Sequence, residues 1–188
     1  TENYSNLLQP MYFRIFLRSF YLASICTFFC LAMGYPFAYF IAKSHSPYKN
    51  LLLLAVMVPF WTSSLIRTYA MMAILKAKGI LNTFLISLHL INMPLQLLYG
   101  NFAVVIGLVY NLLPFMILPL YANIEKLDDQ LIDAARDLGA NWCTVIRKII
   151  LPLTLPGIMA GVILVILPAM TLFYIPDVLG GAKSVLLG

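Results

Sequence analysis

The chain has 188 residues, of which 62% are hydrophobic and only 10% are charged. Soluble domains carry charge on about 25% of their residues, so this composition excludes an ordinary soluble domain and predicts an integral membrane protein. The net charge of +5 does not indicate nucleic-acid binding, because the twelve Lys and Arg residues are scattered and several flank apolar runs as membrane anchors. We therefore expect the lipid bilayer, and no nucleic acid, as a partner.

Apolar stretches long enough to cross a bilayer as helices, which takes about 20 residues, recur along the chain. They run from Arg14 to Ala42, from Asn50 to Leu75, from Phe102 to Tyr121 and from Pro152 to Pro176. Residues 76–100 are interrupted by Gly, Asn and Pro, so we expect short helices on the membrane surface there, with a re-entrant dip as the alternative. The sequence thus predicts an all-α, polytopic helical bundle with four spans.

Positive charges in short loops normally indicate which side of a membrane protein faces the cytoplasm. One side of the predicted bundle carries Lys43, Lys49, Lys126, Arg136, Arg147 and Lys148, and the other carries Arg14, Arg18, Lys76, Lys78 and Lys183. Six charges against five leave the orientation open.

The longest polar passage, residues 123–148, has the pattern of a folded loop. Leu127, Leu131, Ala134, Ala135 and Leu138 share one face of a predicted helix. Acidic residues at 128 and 129 suit its first turn, and Gly139 follows where a helix ends in a left-handed conformation.

A second short helix is expected directly after Gly139. Asn141 is a suitable cap for a helix over Trp142–Ile150, and Pro152 with Pro156 marks a sharp return to the membrane. Two short helices joined at a glycine would form a projection that fits a groove of another protein.

The spacing within this passage resembles a known family. Asp133-Ala134-Ala135, Gly139 and the later Ile149-x-Leu151-Pro152 are similar to the loop signature of permease subunits of binding-protein-dependent ABC importers, with Asp in place of the usual Glu. The segments 31–40, 58–67 and 167–177 resemble, more narrowly, the permeases for spermidine and putrescine.

This resemblance implies the type I ABC importer permease fold, as a single permease domain over residues 1–188 with a cytoplasmic coupling loop at 123–150. Such subunits usually have six spans, so a first span before Thr1 and a last span after Gly188 are expected. The implied partners are a dimer of ATP-binding subunits, a second homologous permease subunit and an extracytoplasmic polyamine-binding protein, in the bacterial inner membrane. ATP and Mg would be bound by the partner ATPase; we expect this chain to be non-enzymatic and to hold no cofactor or metal.

The resemblance also assigns roles to residues of the coupling loop. Asp133 would position the coupling helix through a polar contact, Ala134 and Ala135 would seat against the ATPase, and Gly139 would set the turn. The same signature includes Ile149, Leu151 and Pro152.

Candidates for a substrate pathway are the polar and aromatic side chains of the second span and of the end of the fourth. They are Trp61, Thr62, Ser63, Tyr69, Tyr174 and Asp177. Carboxylates and aromatic faces suit a protonated amine, although Trp61 is equally compatible with a structural role. Arg67 would either extend to the membrane surface or pair with Asp177 as a gate, since a cationic substrate would avoid it.

Other functions stay open at this stage. Permeases for thiamine, iron or sulfate share part of the 58–67 segment. An ion-coupled carrier or channel would be expected to hold acidic residues within its spans, whereas all seven lie in loops or at span ends. Gly157 and Gly161 have the spacing of a helix-packing seam.

Overall fold

The computed structural model describes residues 10–181 except residues 45, 90, 92 and 173. Over these residues the regular structure is entirely helical. The α-helices are α1 (Pro10–Lys43), α2 (Ser46–Met57), α3 (Ser64–Leu75), α4 (Ile80–Ser87), α5 (Asn101–Ile124), α6 (Asp129–Asp137), α7 (Trp142–Val145), α8 (Leu151–Thr171) and α9 (Tyr174–Gly180). A 3-10 turn, Val58–Trp61, follows α2, and a π-helical segment, Ile146–Ile150, joins α7 to α8.

Within the described residues, four helical stretches are long and apolar enough to cross a membrane. They are Ile15–Lys43, Ser64–Ser87, Asn101–Ile124 and Trp142–Thr171, and a shorter apolar stretch covers Tyr48–Trp61. This confirms the prediction of an all-α bundle with four spans.

Helix α5 is the centre of the bundle and packs against both α1 and α8. It is apolar around its whole circumference, as expected for a helix covered on several sides, and Val104, Leu108 and Leu112 are buried in its core. Gly157 and Gly161 of α8 face α5 so closely that an added Cβ would lie 2.6 Å from a side-chain atom of Asn123 or Met116. The predicted helix-packing seam is therefore confirmed, and its partner is α5.

The second predicted span is not one continuous helix, and that expectation is wrong. The chain from Lys49 onward follows α5 in the opposite direction: Lys49 lies over Tyr121, the Phe60 ring packs on Phe115, and Ser64 bonds to Asn111. The helix is nevertheless interrupted between α2 and α3. Pro59 in the 3-10 turn and two extended residues after it remove the helical hydrogen bonds there.

Residues 76–100 differ in part from the predicted surface helices. A turn closed by the Gly79 amide bonding to the Lys76 carbonyl separates α3 from α4, and α3 and α4 together form one of the apolar stretches of spanning length. The Asn82 side chain then holds the returning chain, because it donates to the Leu95 carbonyl and accepts from the Leu95 amide, both at 2.9 Å.

The second predicted loop helix is also longer than expected. Trp142 begins a helix that continues through the π-helical segment into α8, without a break at Pro152. Pro152 directly follows the π-helical segment, in which the Leu151 amide bonds to the Ile146 carbonyl five residues back. The wider π turn accommodates the proline inside the helix, so Pro152 does not produce the sharp return that the sequence suggested.

Candidate functional site

Helix α6 is a short amphipathic helix that lies beyond the end of the bundle. Asp128 caps it, with its carboxylate accepting from the Gln130 amide at 2.9 Å. Ile132 is only 8% exposed and packs with Val145 and Ile150 in a small cluster of its own. These contacts fix α6 on the start of the α7–α8 helix.

The opposite face of α6 is apolar and uncovered in this chain. Leu131 is 50% and Leu138 is 89% exposed, and Ala134 between them is exposed as well. These three residues recur at helical spacing on one side. Exposed apolar side chains grouped on a small helix are typical of a surface that another protein covers.

Gly139 ends α6 in the left-handed conformation, with φ of 81°. The Ala140 amide returns to the Ala135 carbonyl at 3.0 Å, which closes the helix end. Asn141 then caps the next helix, with its side-chain oxygen accepting from the Thr144 amide at 2.8 Å. The predicted turn, cap and helix order are all present.

The remaining residues of the loop signature are spread over the start of the α7–α8 helix. Ile149 is half-buried, and Leu151 and Pro152 are exposed. Asp133 is exposed and has no hydrogen bond or ion pair within the described part of the chain. The polar contact expected of Asp133 is thus not made within the described residues, and its role stays a prediction.

The end of the bundle nearest α6 is tied together by ion pairs. Lys43 at the end of α1 pairs with Asp129 of α6, and Lys49 donates to Glu125 at 2.6 Å. The hydrogen bonds from Lys49 and from Tyr121 lower the pKa of the Glu125 carboxyl, and the bond to Glu125 raises the pKa of Lys49. These contacts place residues 43–50 and the 123–150 loop on the same side of the membrane.

The interruption between α2 and α3 exposes polar backbone within the membrane-spanning region. Trp61 is 83% exposed, and Thr62 and Ser63 are exposed too. Irregular backbone is tolerated at membrane depth only where it is buried in protein or lines a polar path. The exposed break is therefore a candidate lining of a pathway or of an interface with another subunit.

A partly buried hydrogen-bond network lies directly behind this break. The Ser64 hydroxyl donates to Asn111 Oδ1 at 2.6 Å and lies 2.6 Å from the Tyr174 hydroxyl. Asn111 Nδ2 donates to the Gly107 carbonyl at 2.9 Å. The network thus joins α3, α5 and α9.

Sequence reasoning missed Asn111 and Ser64 as functional candidates. The available signal was an uncharged polar residue in the middle of the third apolar run, since buried polar groups within a span need a partner. Of the predicted pathway residues, Tyr174 joins this network, while Tyr69 and Asp177 are exposed on α3 and α9.

Arg67 and Asp177 do not form an ion pair in this structure. The Arg67 guanidinium carbon instead lies 5.9 Å from the centres of both the Phe60 and the Tyr110 rings. Its Nε and Nη1 atoms are buried without a partner among the described residues. The two rings hold the guanidinium against α5, so closure of an Arg67–Asp177 gate would require a different conformation.

The fold and these two regions define a polytopic helical membrane protein with an exposed amphipathic helix at one end of its bundle. Residues 34–187 match the family of binding-protein-dependent transport system inner membrane components, and the chain belongs to that family. This confirms the resemblance to importer permeases and the location in the inner membrane.

Curated relatives are similar over the whole chain. The chain is 54% identical, over 100% of its length, to the spermidine/putrescine transport system permease protein PotB of Haemophilus influenzae and covers 65% of that relative. It is 53% identical to the protein of that name in Escherichia coli K12, covering 68% of it. The inner membrane ABC transporter permease protein YdcU of E. coli K12 is 33% identical over 95% of this chain, which covers 61% of YdcU.

Proposed function

We propose that this chain is a non-catalytic, membrane-spanning permease subunit of an ATP-driven importer and that it translocates polyamines. Support for the class comes from the family membership, and support for the substrate comes from the relatives named for spermidine and putrescine transport. The partners are a dimer of ATP-binding subunits, a second homologous permease subunit and an extracytoplasmic polyamine-binding protein. ATP and Mg are bound by the ATP-binding subunits.

The observation that carries the mechanism is the uncovered apolar face of α6. Leu131, Ala134 and Leu138 form the surface that docks on the ATPase, and Gly139 fixes the direction in which the chain leaves that surface. Residues 123–150 act as the cytoplasmic coupling loop of a single permease domain. Because α6 packs on the same helix that becomes α8, a movement of the docked ATPase displaces a membrane span directly.

The substrate is contacted by residues of the break after α2 and of α9. Trp61 presents an exposed indole face and Asp177 an exposed carboxylate, and both suit a protonated amine. Thr62, Ser63, Tyr69 and Tyr174 supply hydroxyl groups along the same pathway.

The proposed role as an importer permease is tested at the surface that docks on the ATPase. A Leu138→Glu substitution adds a charge to the proposed interface without disturbing the fold, since that side chain is 89% exposed. We expect the assembled transporter to lose ATP-driven uptake while its membrane insertion is unchanged, and Leu138→Met to retain uptake. Normal uptake by the Glu variant contradicts the docking surface.

The substrate is tested by reconstitution in liposomes with the partner subunits and the binding protein. We expect uptake of labelled spermidine and putrescine only with the ATPase and ATP present. Uptake of thiamine, iron or sulfate instead would reassign the substrate within the same class, and uptake without the ATPase would contradict the class.

A further inference from the structure

The network behind the helix break has a fixed direction. The Gly107 carbonyl can only accept, so Asn111 turns its Nδ2 toward it and its Oδ1 toward Ser64. Ser64 must therefore donate its single hydroxyl proton to Asn111. The Tyr174 hydroxyl, 2.6 Å from Ser64 Oγ, must in turn be the donor to Ser64.

This chain of bonds begins at the most enclosed point of the region. Asn111 is 3% exposed and lies ten residues into α5, about 15 Å along the helix axis at 1.5 Å per residue. A hydrogen bond to a side chain so little exposed is electrostatically stronger than one at the surface. The α5 helix therefore provides a rigid anchor for whatever Asn111 holds.

The two groups that Asn111 holds belong to the two segments of the proposed pathway. Ser64 is the first residue of α3, directly after the break that exposes Trp61, Thr62 and Ser63. Tyr174 is the first residue of α9, the helix that carries Asp177. The contacts of α9 with both α3 and α5 make this a shared junction.

We propose that Asn111 is a positioning residue of the transport pathway, which sets the Trp61–Ser63 break and the Asp177-bearing helix in register through Ser64 and Tyr174. The proposal rests on the proposed function for its link to transport. In this proposal the buried Asn111 amide does not touch the substrate. It aligns the two segments that are proposed to touch it.

Transport by the assembled complex gives the first test. We expect Asn111→Leu and Ser64→Ala each to raise the KM for polyamine-loaded binding protein about fivefold or more, the order expected for losing one buried hydrogen-bond partner. Basal ATP hydrolysis by the complex should persist. Ser64→Thr keeps a hydroxyl and should restore most of the affinity.

The double variant Asn111→Leu with Ser64→Ala tests whether the two residues act on transport through one path. Both changes break the same path, so the double variant should be no worse than the worse single one. Additive effects, or an unchanged KM in assembled transporters of both single variants, would overturn the proposal.

A readout without substrate keeps this inference separate from the proposed function. In a Trp61→Cys, Cys143→Ser background, a nitroxide label at position 61 of the assembled transporter reports the mobility of the break. Cys26 and Cys30 of this chain are buried and should not take up the label. Ser64→Ala should sharpen the spectrum of that label, and Ser64→Thr should not. Identical spectra would overturn the positioning role. The expected spectra together with failure of polyamine uptake by the transporter that retains Trp61 would count against the proposed function alone.

Discussion

Gly139 is constrained by its backbone and not by its neighbours. Its φ of 81° lies in the left-handed region, and an added Cβ would meet no atom within 4 Å. An L-residue in this conformation is strained by about 1 to 2 kcal/mol, whereas Asn tolerates it better than other residues with a side chain. The requirement at this position is therefore conformational, and the size of the side chain matters little within this subunit.

Replacing Gly139 with Ala should loosen the end of α6. The strain converts to about 5- to 30-fold faster hydrogen exchange of the Ala140 amide, which closes the helix end on the Ala135 carbonyl. Gly139→Asn should exchange closer to the wild-type rate. Equal rates in the Ala and Asn variants, measured by mass spectrometry on the complex, would show that the left-handed conformation is not what the glycine provides.

The sequence anticipates Gly139 and does not anticipate Asn111, for a physical reason. The Gly139 turn is decided by the residues next to it, which complete an amphipathic helix and then stop it. The partner of Asn111 is 47 positions away in the chain. An amide side chain in an apolar run predicts that a hydrogen-bond partner is needed, but only the packing of α3 on α5 identifies that partner.

At the level of elements, the contact between α5 and α8 depends on two glycines without room for a side chain. A Cβ at Gly157 would lie 2.6 Å from the Asn123 Cβ and 3.1 Å from the Pro119 carbonyl oxygen. Neither atom is the end of a flexible side chain, so the two helices would have to separate.

Gly157→Ala should therefore lower the midpoint of thermal unfolding in detergent. Overpacking of this kind destabilises by about 1 to 3 kcal/mol. Gly100→Ala is the matched control, because the nearest atom to its added Cβ is 4.0 Å away. A Gly157 variant with the same unfolding midpoint as the Gly100 variant would contradict the close packing of α5 on α8.

The ion pair between Lys49 and Glu125 predicts a dependence on pH. The pKa of the Glu125 carboxyl is lowered in the folded chain, so the pair stabilises the fold above the carboxyl's ordinary pKa and is lost as pH falls through the lowered one. Glu125→Gln should melt slightly below wild type at pH 7, and the difference should vanish in acid. A difference that grows as pH falls would give the opposite sign and exclude this pair as its cause.

Hydrophobic length predicts the number of spans well and their continuity poorly. The run from Asn50 to Leu75 is apolar enough throughout to be read as one helix, yet it breaks after Pro59. The converse holds at Pro152, where a proline reads as a stop and the helix continues. Both prolines lie at the start of a segment, Pro59 in a 3-10 turn that extended residues follow and Pro152 directly after a π-helical segment that continues as α8. The backbone around each proline therefore decides the outcome, and the apolar pattern does not contain that information.

Across the whole molecule, the two candidate regions are attached to the same central helix. The break and α9 are bonded to the middle of α5 through Asn111, and the loop side is tied to α5 by the Lys49 contact with Glu125 just past its end. The α7–α8 helix packs along α5 and carries α6 on its loop-side end. If α6 is the docking surface, force applied there would reach the proposed pathway through packed helices, because α8 and α5 are in close contact at Gly157.

The proposed pathway is tested most directly at Trp61. Its indole is 83% exposed, so replacement should leave the unfolding temperature unchanged. If a protonated amine passes over the ring, losing that contact removes about 0.5 to 2 kcal/mol, which corresponds to about a 2- to 30-fold rise in the KM for polyamine uptake. Trp61→Phe retains an aromatic face and should show a smaller rise than Trp61→Leu, which retains only the apolar surface. Uptake assays on liposomes with equal amounts of assembled transporter measure the difference, and Leu and Phe variants of equal KM would assign Trp61 to packing against lipid or a neighbouring subunit.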